Sequence, residues 1–304
     1  MPGPEGKDMR DMPYVFITDS DSDLPYQIAD ERQIPVIKMP YALDGKEYLD
    51  DNGRSGVEAQ KAFFDRMRAG AVPVTSCLSM PDYVDYFEPY LKDGKDILYV
   101  AFSGNMSATL QYARQAWDDL SIRYPGRRLV ISDTLSISSP MTLLIEKAHD
   151  MYLDGASMDE VDRWIRDNRM RARCFMTVDS LIYLKRGGRL SPTSAFFGTM
   201  LDIKPIIVIG REGKMDATEK SKGRKKTLQT IIDRTIANIE DPTGKTIIIM
   251  HADVEEDALR LRDILWEKLP GLKEIRVQMI GPVIGSHCGP GTLACTFLGK
   301  ERPR

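Results

Sequence analysis

The chain has 304 residues, with 42 Lys and Arg against 45 Asp and Glu, and a formal net charge of −3 at neutral pH. This balance argues against a general nucleic-acid binder, which needs excess positive charge to neutralise phosphates. The 42% hydrophobic and 29% charged residues are ordinary for a globular protein with a large core. No apolar run approaches the 18 residues of a membrane-spanning helix, so no stable membrane insertion is expected.

The first residues and the cysteines indicate the compartment. Residues 1–13, MPGPEGKDMRDMP, combine charges with Pro and Gly and have no apolar centre, so they predict a flexible leader and not a signal peptide. The four cysteines are widely spaced and form no CxxC pair, which favours reduced thiols. We therefore expect a cytoplasmic protein with no metal site and no cofactor.

Strand-like apolar runs alternate with amphipathic helical segments along most of the chain. This alternation predicts two α/β domains, a mainly parallel sheet in residues 1–165 and a mixed sheet with an antiparallel element in residues 166–304. The antiparallel element is predicted as a hairpin over residues 204–220 that turns at Glu212 and Gly213. The predicted strands are residues 14–18, 96–102, 128–132, 173–178, 204–210, 245–251 and 274–281.

Several helix ends are signalled locally. Ser79 stands three residues before Asp82, and Ser157 stands three residues before Glu160, so each pair predicts a capping box at a helix start. Gly155 is expected to end the helix that precedes the second box.

The first loop with chemical potential is TDSDSDLP, residues 18–25, which directly follows a predicted strand. Its three aspartates at alternate positions have the oxygen ligands that a divalent metal prefers, and they could also contact a ligand. The simpler interpretation is that Asp and Ser side chains cap a helix whose start is fixed by Pro25. The loop lacks the glycine and the terminal glutamate of a calcium loop, so we prefer capping.

Two further segments place hydroxyl groups at helix starts, namely TSCLS (75–79) and FSGNMSATLQYA (102–113). Hydroxyls and free N–H groups at a helix start suit an anion, although each segment alone is typical of ordinary capping. Two such starts from one sheet can converge on a single acidic group. The candidate ligand-binding residues are Thr75, Ser76, Ser103, Ser107 and Thr109.

The second half of the chain contributes a basic turn within residues 184–205. Lys185, Arg186 and Arg189 surround a glycine pair, an arrangement that is often no more than solvated surface. The apolar stretch AFFGTML that follows, residues 195–201, predicts either core or the lining of a ligand cavity.

The chain has three histidines, and one of them lies in GPVIGSHCGPGT, residues 281–292. The four glycines and two prolines of this segment predict a shaped loop around His287 that a ligand can approach closely. His149 and His251 are expected to be structural.

The ordered motifs TDSxSDLP, TSxxS, SxxxSxTxxxA, LKRGGR…LDIKP and GPVIGSHCGPG resemble those of the DegV family of bacterial fatty-acid-binding proteins. The resemblance runs from Thr18 to Phe297. It implies two α/β domains with a long acyl chain buried between or within them. It also implies a carrier without catalytic residues, and some members of the family present their fatty acid to an ATP-dependent fatty acid kinase that forms an acyl phosphate.

The resemblance also implies residue roles. The carboxylate-binding Thr of the family's TSQPS motif falls on Thr75, and the Ser of its SSxLSGT motif falls on Ser107. The family His matches His287, which as a neutral ring can donate a hydrogen bond. The Arg of the GGR turn matches Arg189, which the resemblance associates with kinase engagement, and Lys185 and Arg186 would face the kinase or the phosphate beside it.

An enzyme is the alternative. A Ser/His hydrolase would use Ser103 or Ser107 with His287, but the chain has no G-x-S-x-G elbow. A metal-dependent phosphotransferase acting on a small acidic substrate would use Asp19, Asp21 and Asp23, but the chain has no G-x-x-x-x-G-K-[ST] loop. A carrier for another amphipathic acid is a third possibility.

Overall fold

The structure is a computed structural model that describes residues 12–189 and 203–303. Residues 1–11 of the predicted leader and the apolar stretch 195–201 lie outside the described residues. The strands are β1 (Tyr14–Asp19), β2 (Val36–Ile37), β3 (Pro40–Leu43), β4 (Lys46–Leu49), β5 (Val74–Thr75), β6 (Asp96–Ala101), β7 (Leu129–Asp133), β8 (Ala172–Thr177), β9 (Ile203–Ile209), β10 (Met215–Lys222), β11 (Thr246–His251), β12 (Glu274–Met279) and β13 (Leu293–Leu298). The helices are α1 (Tyr26–Glu31), α2 (Val57–Arg68), α3 (Met80–Lys92), α4 (Thr109–Arg123), α5 (Ser139–Leu153), α6 (Met158–Asn168), α7 (Ile182–Gly187), α8 (Arg224–Asn238), α9 (Glu255–Lys268) and α10 (Pro282–Cys288).

The strands form three sheets. The first has the order β2-β1-β6-β7, and all its pairs are parallel. The second has the order β10-β9-β8-β13-β11-β12, in which only β11 and β12 pair in parallel. A small antiparallel sheet, β4-β3-β5, carries the TSCLS segment at its edge. The predicted α/β fold, with a parallel sheet followed by a mixed sheet, is therefore confirmed, whereas the boundary at residue 165 stays a prediction.

The seven predicted strands are present within two residues of their predicted bounds. The hairpin is also confirmed, because β9 and β10 pair antiparallel with Ile209 opposite Met215, and Gly213 adopts the positive φ of 70° that the turn requires. The sequence interpretation did not find β13, which lies in the centre of the mixed sheet between β8 and β11.

The two predicted capping boxes are confirmed. Ser79 accepts the N–H of Asp82 at the start of α3, and Ser157 accepts the N–H of Glu160 at the start of α6, with the acidic side chain returning to the cap residue in both. Gly155 lies just after the end of α5 with a φ of 92°, as expected for a residue that ends a helix.

The capping interpretation of TDSDSDLP is wrong in part. Helix α1 begins at Tyr26 directly after Pro25, but no side chain caps it. Asp19 ends β1, Asp21 lies in the 3₁₀ turn Ser20–Ser22 and Asp23 follows that turn, and all three residues are buried instead of capping the helix.

Helix α5 connects the two larger sheets. It contacts β1 of the parallel sheet and β8, β11 and β13 of the mixed sheet. Its first residue, Ser139, places its hydroxyl 2.8 Å from that of Thr296 in β13. One continuous apolar core consequently runs from the parallel sheet to the inner face of the mixed sheet, and a second core lies on the opposite face of the mixed sheet.

The C-terminal segment fastens the hairpin to the parallel sheet. The guanidinium of Arg302 is buried and donates to the carbonyls of Leu135 after β7, Ala172 in β8 and Gly210 in the hairpin. Among the described residues, Arg302 forms no ion pair with a carboxylate, and burial lowers its pKa to about 10. Three separate segments are therefore tied together by one side chain.

His149 provides a test of the core on α5. Its ring is buried against Phe16 and Tyr152, neither ring nitrogen has a hydrogen-bond partner, and burial lowers its pKa to about 4. In the unfolded chain His149 is protonated near pH 6.5, whereas in the folded chain it stays neutral until about pH 4. The stability that is present above pH 6.5 is therefore lost as the pH falls toward 4. Between pH 6.5 and 5, we expect the free energy of unfolding of His149→Met to fall by about 2 kcal/mol less than that of the wild type.

Urea unfolding of both proteins at the two pH values measures this difference. The buried aspartates are common to both proteins, so their contribution cancels in the comparison. An identical change of unfolding free energy with pH in the two proteins would show that His149 does not carry the effect.

Candidate functional site

Hydroxyl-bearing and basic side chains line a cavity where the loops after β1, β5 and β6 meet α10 and the hairpin. We call it the polar cavity. Six of the nine predicted site residues line it together, although they come from four separate segments: Thr75, Ser76, Ser107, Thr109, Arg189 and His287.

The other three predicted residues are outside the lining. Ser103 is fully buried and donates its hydroxyl to the carbonyl of Gly213 at 2.8 Å, so it fastens the hairpin to the loop after β6. Lys185 and Arg186 lie on α7 with exposed side chains. Ligand contact by any of the nine stays a prediction.

The centre of the polar cavity is a contact between Thr75 and His287. The Thr75 hydroxyl lies 2.8 Å from Nε2 of the imidazole ring. Burial, together with the smaller effect of the Arg189 charge, lowers the pKa of His287 to about 4, so the ring is neutral at physiological pH. A neutral ring can hold the Thr75 hydroxyl in one orientation, leaving the other hydrogen-bonding capacity of that hydroxyl for a ligand.

Ser107, which also lines the polar cavity, precedes α4. Its hydroxyl accepts the N–H of Thr109 at 3.3 Å and lies 3.3 Å from the thiol sulphur of Cys77. Hydroxyl groups of Thr75 and Ser107 therefore both reach one cavity, as an acid-binding site requires.

The loop predicted for residues 281–292 is wrong for Pro282–Cys288, which form α10. Pro282 occupies the first helical turn, where a proline is favourable, and Gly281 precedes it. The helix has seven residues and depends on tertiary support. Asp23 accepts the N–H of Gly281 at 2.8 Å, and Asp50 accepts that of Val283 at 3.4 Å.

The sequence interpretation missed this contact of the two aspartates with α10. Burial raises the pKa of Asp23 to about 6 and that of Asp50 to about 7, and the negative charge of Asp23 adds to the shift of Asp50. Asp19 is buried in the same region, where it accepts the Tyr99 hydroxyl at 2.8 Å. The carboxyl groups of Asp23 and Asp50 thus position the helix that carries His287.

Two glycines allow the close packing of His287 and α10. A Cβ atom on Gly187 would lie 2.3 Å from Nδ1 of His287, so the glycine pair of the basic turn lets α7 approach the ring. A Cβ atom on Gly285 would lie 2.9 Å from the ring of Phe64, which is fully buried on α2. Nδ1 of His287 has no hydrogen-bond partner among the described residues.

We expect Gly285→Ala to lower the free energy of unfolding by about 2 kcal/mol, because the added methyl group overpacks the contact between α10 and Phe64. Chemical denaturation measures the loss. Phe64→Leu in the same chain provides space for the methyl group. The double variant should therefore lose less free energy of unfolding than the two single variants lose together. Strict additivity would contradict the packing explanation.

A second cavity adjoins the polar cavity, and we call it the apolar cavity. Both cavities are lined by Ile137, Met215 and Ile284. The apolar cavity continues between the start of α5 and the inner face of the mixed sheet, where Met176, Ile207 and Ala294 contribute to its wall. The site therefore combines a polar end with an apolar extension into the core between the sheets.

No group of three or more His, Cys, Asp or Glu side chains within residues 12–189 and 203–303 is arranged to hold a metal ion. In the same described parts of the chain, no helix is long and apolar enough to cross a membrane.

A family model described as an uncharacterised protein of the DegV family matches residues 14–300. The chain belongs to the DegV family. A DegV domain-containing protein of Clostridium perfringens is 38% identical over 292 residues, which are 95% of this DegV chain and 98% of the relative.

Solved DegV structures share the fold. A fatty-acid-binding DegV family protein of Thermus thermophilus matches with a TM-score of 0.84 and 28% identity, covering 95% of this chain and all of that one. A fatty-acid-binding DegV family protein of Streptococcus agalactiae matches with a TM-score of 0.80 and 26% identity over the same shares. This DegV protein thus has the α/β fold of its family, with one parallel and one mixed sheet.

Proposed function

We propose that this protein binds a long-chain fatty acid and presents its carboxylate to a fatty acid kinase for acyl phosphate formation. The observation that carries the proposal is the junction of the two cavities, which share Ile137, Met215 and Ile284. A carboxylate would lie between Thr75 and Ser107, and the acyl chain would continue into the apolar cavity. The fatty-acid-binding relatives of Thermus thermophilus and Streptococcus agalactiae support this assignment.

The energetics favour such a ligand. Removing about 15 methylenes from water contributes roughly 12 kcal/mol at about 0.8 kcal/mol each, and association and chain ordering offset several kcal/mol of it. Each charge-assisted hydrogen bond to the carboxylate adds about 1.5–3 kcal/mol, which compensates for its lost hydration. The Thr75 and Ser107 hydroxyls are the donors we assign to it.

The geometry gives less support to a hydrolase. The Ser103 hydroxyl is engaged with the Gly213 carbonyl, and the His287 ring faces Thr75 and not a serine. A catalytic histidine also needs an orienting acid on its second nitrogen, whereas Nδ1 of His287 is without a partner in the described structure. For the phosphotransferase, Asp19 and Asp23 are already committed to Tyr99 and Gly281.

Arg189 is our candidate for the step after binding. It lines the polar cavity beside His287, close enough to lower the pKa of that ring. Its guanidinium would stabilise the developing acyl phosphate, and Lys185 and Arg186 on α7 would face the kinase. The four cysteines are free thiols, which supports a cytoplasmic site for this reaction.

Mass spectrometry of lipid extracts from the purified protein, followed by delipidation and rebinding, tests the binding proposal. Absence of any co-purifying acyl chain together with failure to rebind one would rule it out. Release of acyl phosphate only when both ATP and a bacterial fatty acid kinase are added would support the presenting role. Hydrolysis of acyl esters or ATP by the isolated protein would favour an enzyme instead.

A further inference from the structure

One carboxyl group in the polar cavity has no hydrogen-bond partner among the described residues. Asp21 lies in the 3₁₀ turn after β1, is 4% exposed and lines the cavity with Thr75 and Ser107. No described residue forms a hydrogen bond with its carboxyl oxygens. The neighbouring buried carboxylates differ in this respect, because Asp19, Asp23 and Asp50 each accept at least one backbone N–H.

The surroundings of Asp21 favour its uncharged form. Burial raises its pKa well above the ordinary value, and the negative charges of Asp19, Asp50 and Asp23 raise it further. The other titratable groups at the cavity are the thiol of Cys77, the neutral ring of His287 and the guanidinium of Arg189. A neutral carboxyl group offers one O–H donor and one carbonyl acceptor, and no residue in the described parts of the chain pairs with either.

The carboxylate of an unsubstituted fatty acid can accept the O–H of Asp21, but neither that carboxylate nor a methylene can donate to its carbonyl oxygen. A hydroxyl group does both, so it can pair with Asp21 whether that residue is protonated or ionised. A cationic substituent gains little from an uncharged acid. Burying an unpaired polar group is unfavourable, and a site with such a group therefore discriminates against a ligand that lacks the partner.

We propose that the cavity selects a hydroxylated long-chain fatty acid whose hydroxyl group, near the carboxylate, hydrogen-bonds Asp21. This inference rests on the proposed fatty-acid binding and specifies the class of acid. The hydroxyl is placed on the first carbons because Asp21 lines the polar cavity, which also contains Thr75 and Ser107, and not the apolar cavity.

Binding of four acids to the delipidated protein tests the proposal: 2-hydroxy-, 3-hydroxy- and 16-hydroxyhexadecanoic acid, and hexadecanoic acid. We expect the 2- or the 3-hydroxy acid to bind at least about tenfold more tightly than hexadecanoic acid. The 16-hydroxy acid is an isomer of the 2- and 3-hydroxy acids with its hydroxyl at the far end of the chain, and it should bind no better than hexadecanoic acid.

Variants of Asp21 separate its role from a structural one. Asp21→Leu has a similar shape without polar atoms and should abolish the preference for the hydroxy acid while hexadecanoic acid still binds. Asp21→Asn keeps a donor and an acceptor and should retain the preference, which a merely structural role would not predict. Circular dichroism and thermal unfolding confirm that both variants are folded.

The possible failures are distinguishable. Equal affinity of wild type for all four acids would overturn the hydroxyl assignment and leave fatty-acid binding intact. An equal loss for hydroxylated and plain acids in Asp21→Leu would also overturn it, since Asp21 would then contact the carboxylate itself. Absence of binding by every acid would overturn the proposed function, and this inference with it.

Discussion

Thr75→Val combined with Ser107→Ala is expected to weaken binding of a long-chain fatty acid by roughly 10²–10⁴-fold. Two charge-assisted hydrogen bonds of about 1.5–3 kcal/mol each are lost, and the carboxylate is then buried without compensation. Thr75 contributes through its contact with His287, and Ser107 contributes from the start of α4. Titration calorimetry or displacement of a fluorescent fatty acid measures the change.

The matched control is Thr230→Val combined with Ser121→Ala. These hydroxyls bond helix carbonyls on α8 and α4 and do not line either cavity, so the same chemical change should leave affinity unaltered. A methyl ester of the same acyl chain should lose much less affinity than the acid in the double variant. Unchanged binding of the acid would refute the assignment of its carboxylate.

Ala294→Phe should shorten the acyl chain that the protein accepts. Ala294 is buried on β13 and lines the apolar cavity, so the added ring occupies space that the end of the chain would fill. Exclusion of about four methylenes at about 0.8 kcal/mol each costs about 3 kcal/mol, or roughly 10²-fold in affinity for hexadecanoic acid. Dissociation constants across a series of saturated acids reveal the new limit.

Octanoic acid serves as an internal reference, because a short chain keeps the same carboxylate contacts and does not need the filled space. Its affinity should change little. Ala59→Phe, an equal enlargement at an exposed position on α2, should leave the whole series as in wild type. An unaltered chain-length profile in Ala294→Phe would mean that the acyl chain takes another route.

The fold was predictable where sequence signals are local. Apolar runs ended by turn residues predicted seven strands, and the pairs Ser79–Asp82 and Ser157–Glu160 predicted helix starts. β13 was missed because it directly follows the glycine- and proline-rich residues 281–292, which were interpreted as a loop. Its partners, β8 and β11, are distant in sequence.

The candidate site was also predictable only in part. The resemblance to a family selected Thr75, Ser107 and His287, and the structure brings all three to one cavity. The role of Asp50 was not predictable, because it accepts an N–H of a helix more than 200 residues later. The short helix α10 exists through such tertiary contacts, so its composition alone indicated a loop.

A fatty acid bound as proposed would fill space inside the hydrophobic core, because the two cavities are lined by core residues. Ile137 lies in the loop between β7 and α5, Met215 lies in β10 of the mixed sheet, and both residues line this junction. A ligand that binds only the folded chain adds about 2.7 kcal/mol to the unfolding free energy at a hundredfold excess over its dissociation constant. If the proposed function holds, copies with bound fatty acid would outlast empty copies under cellular proteolysis, so the abundance of the protein would follow the supply of the acid.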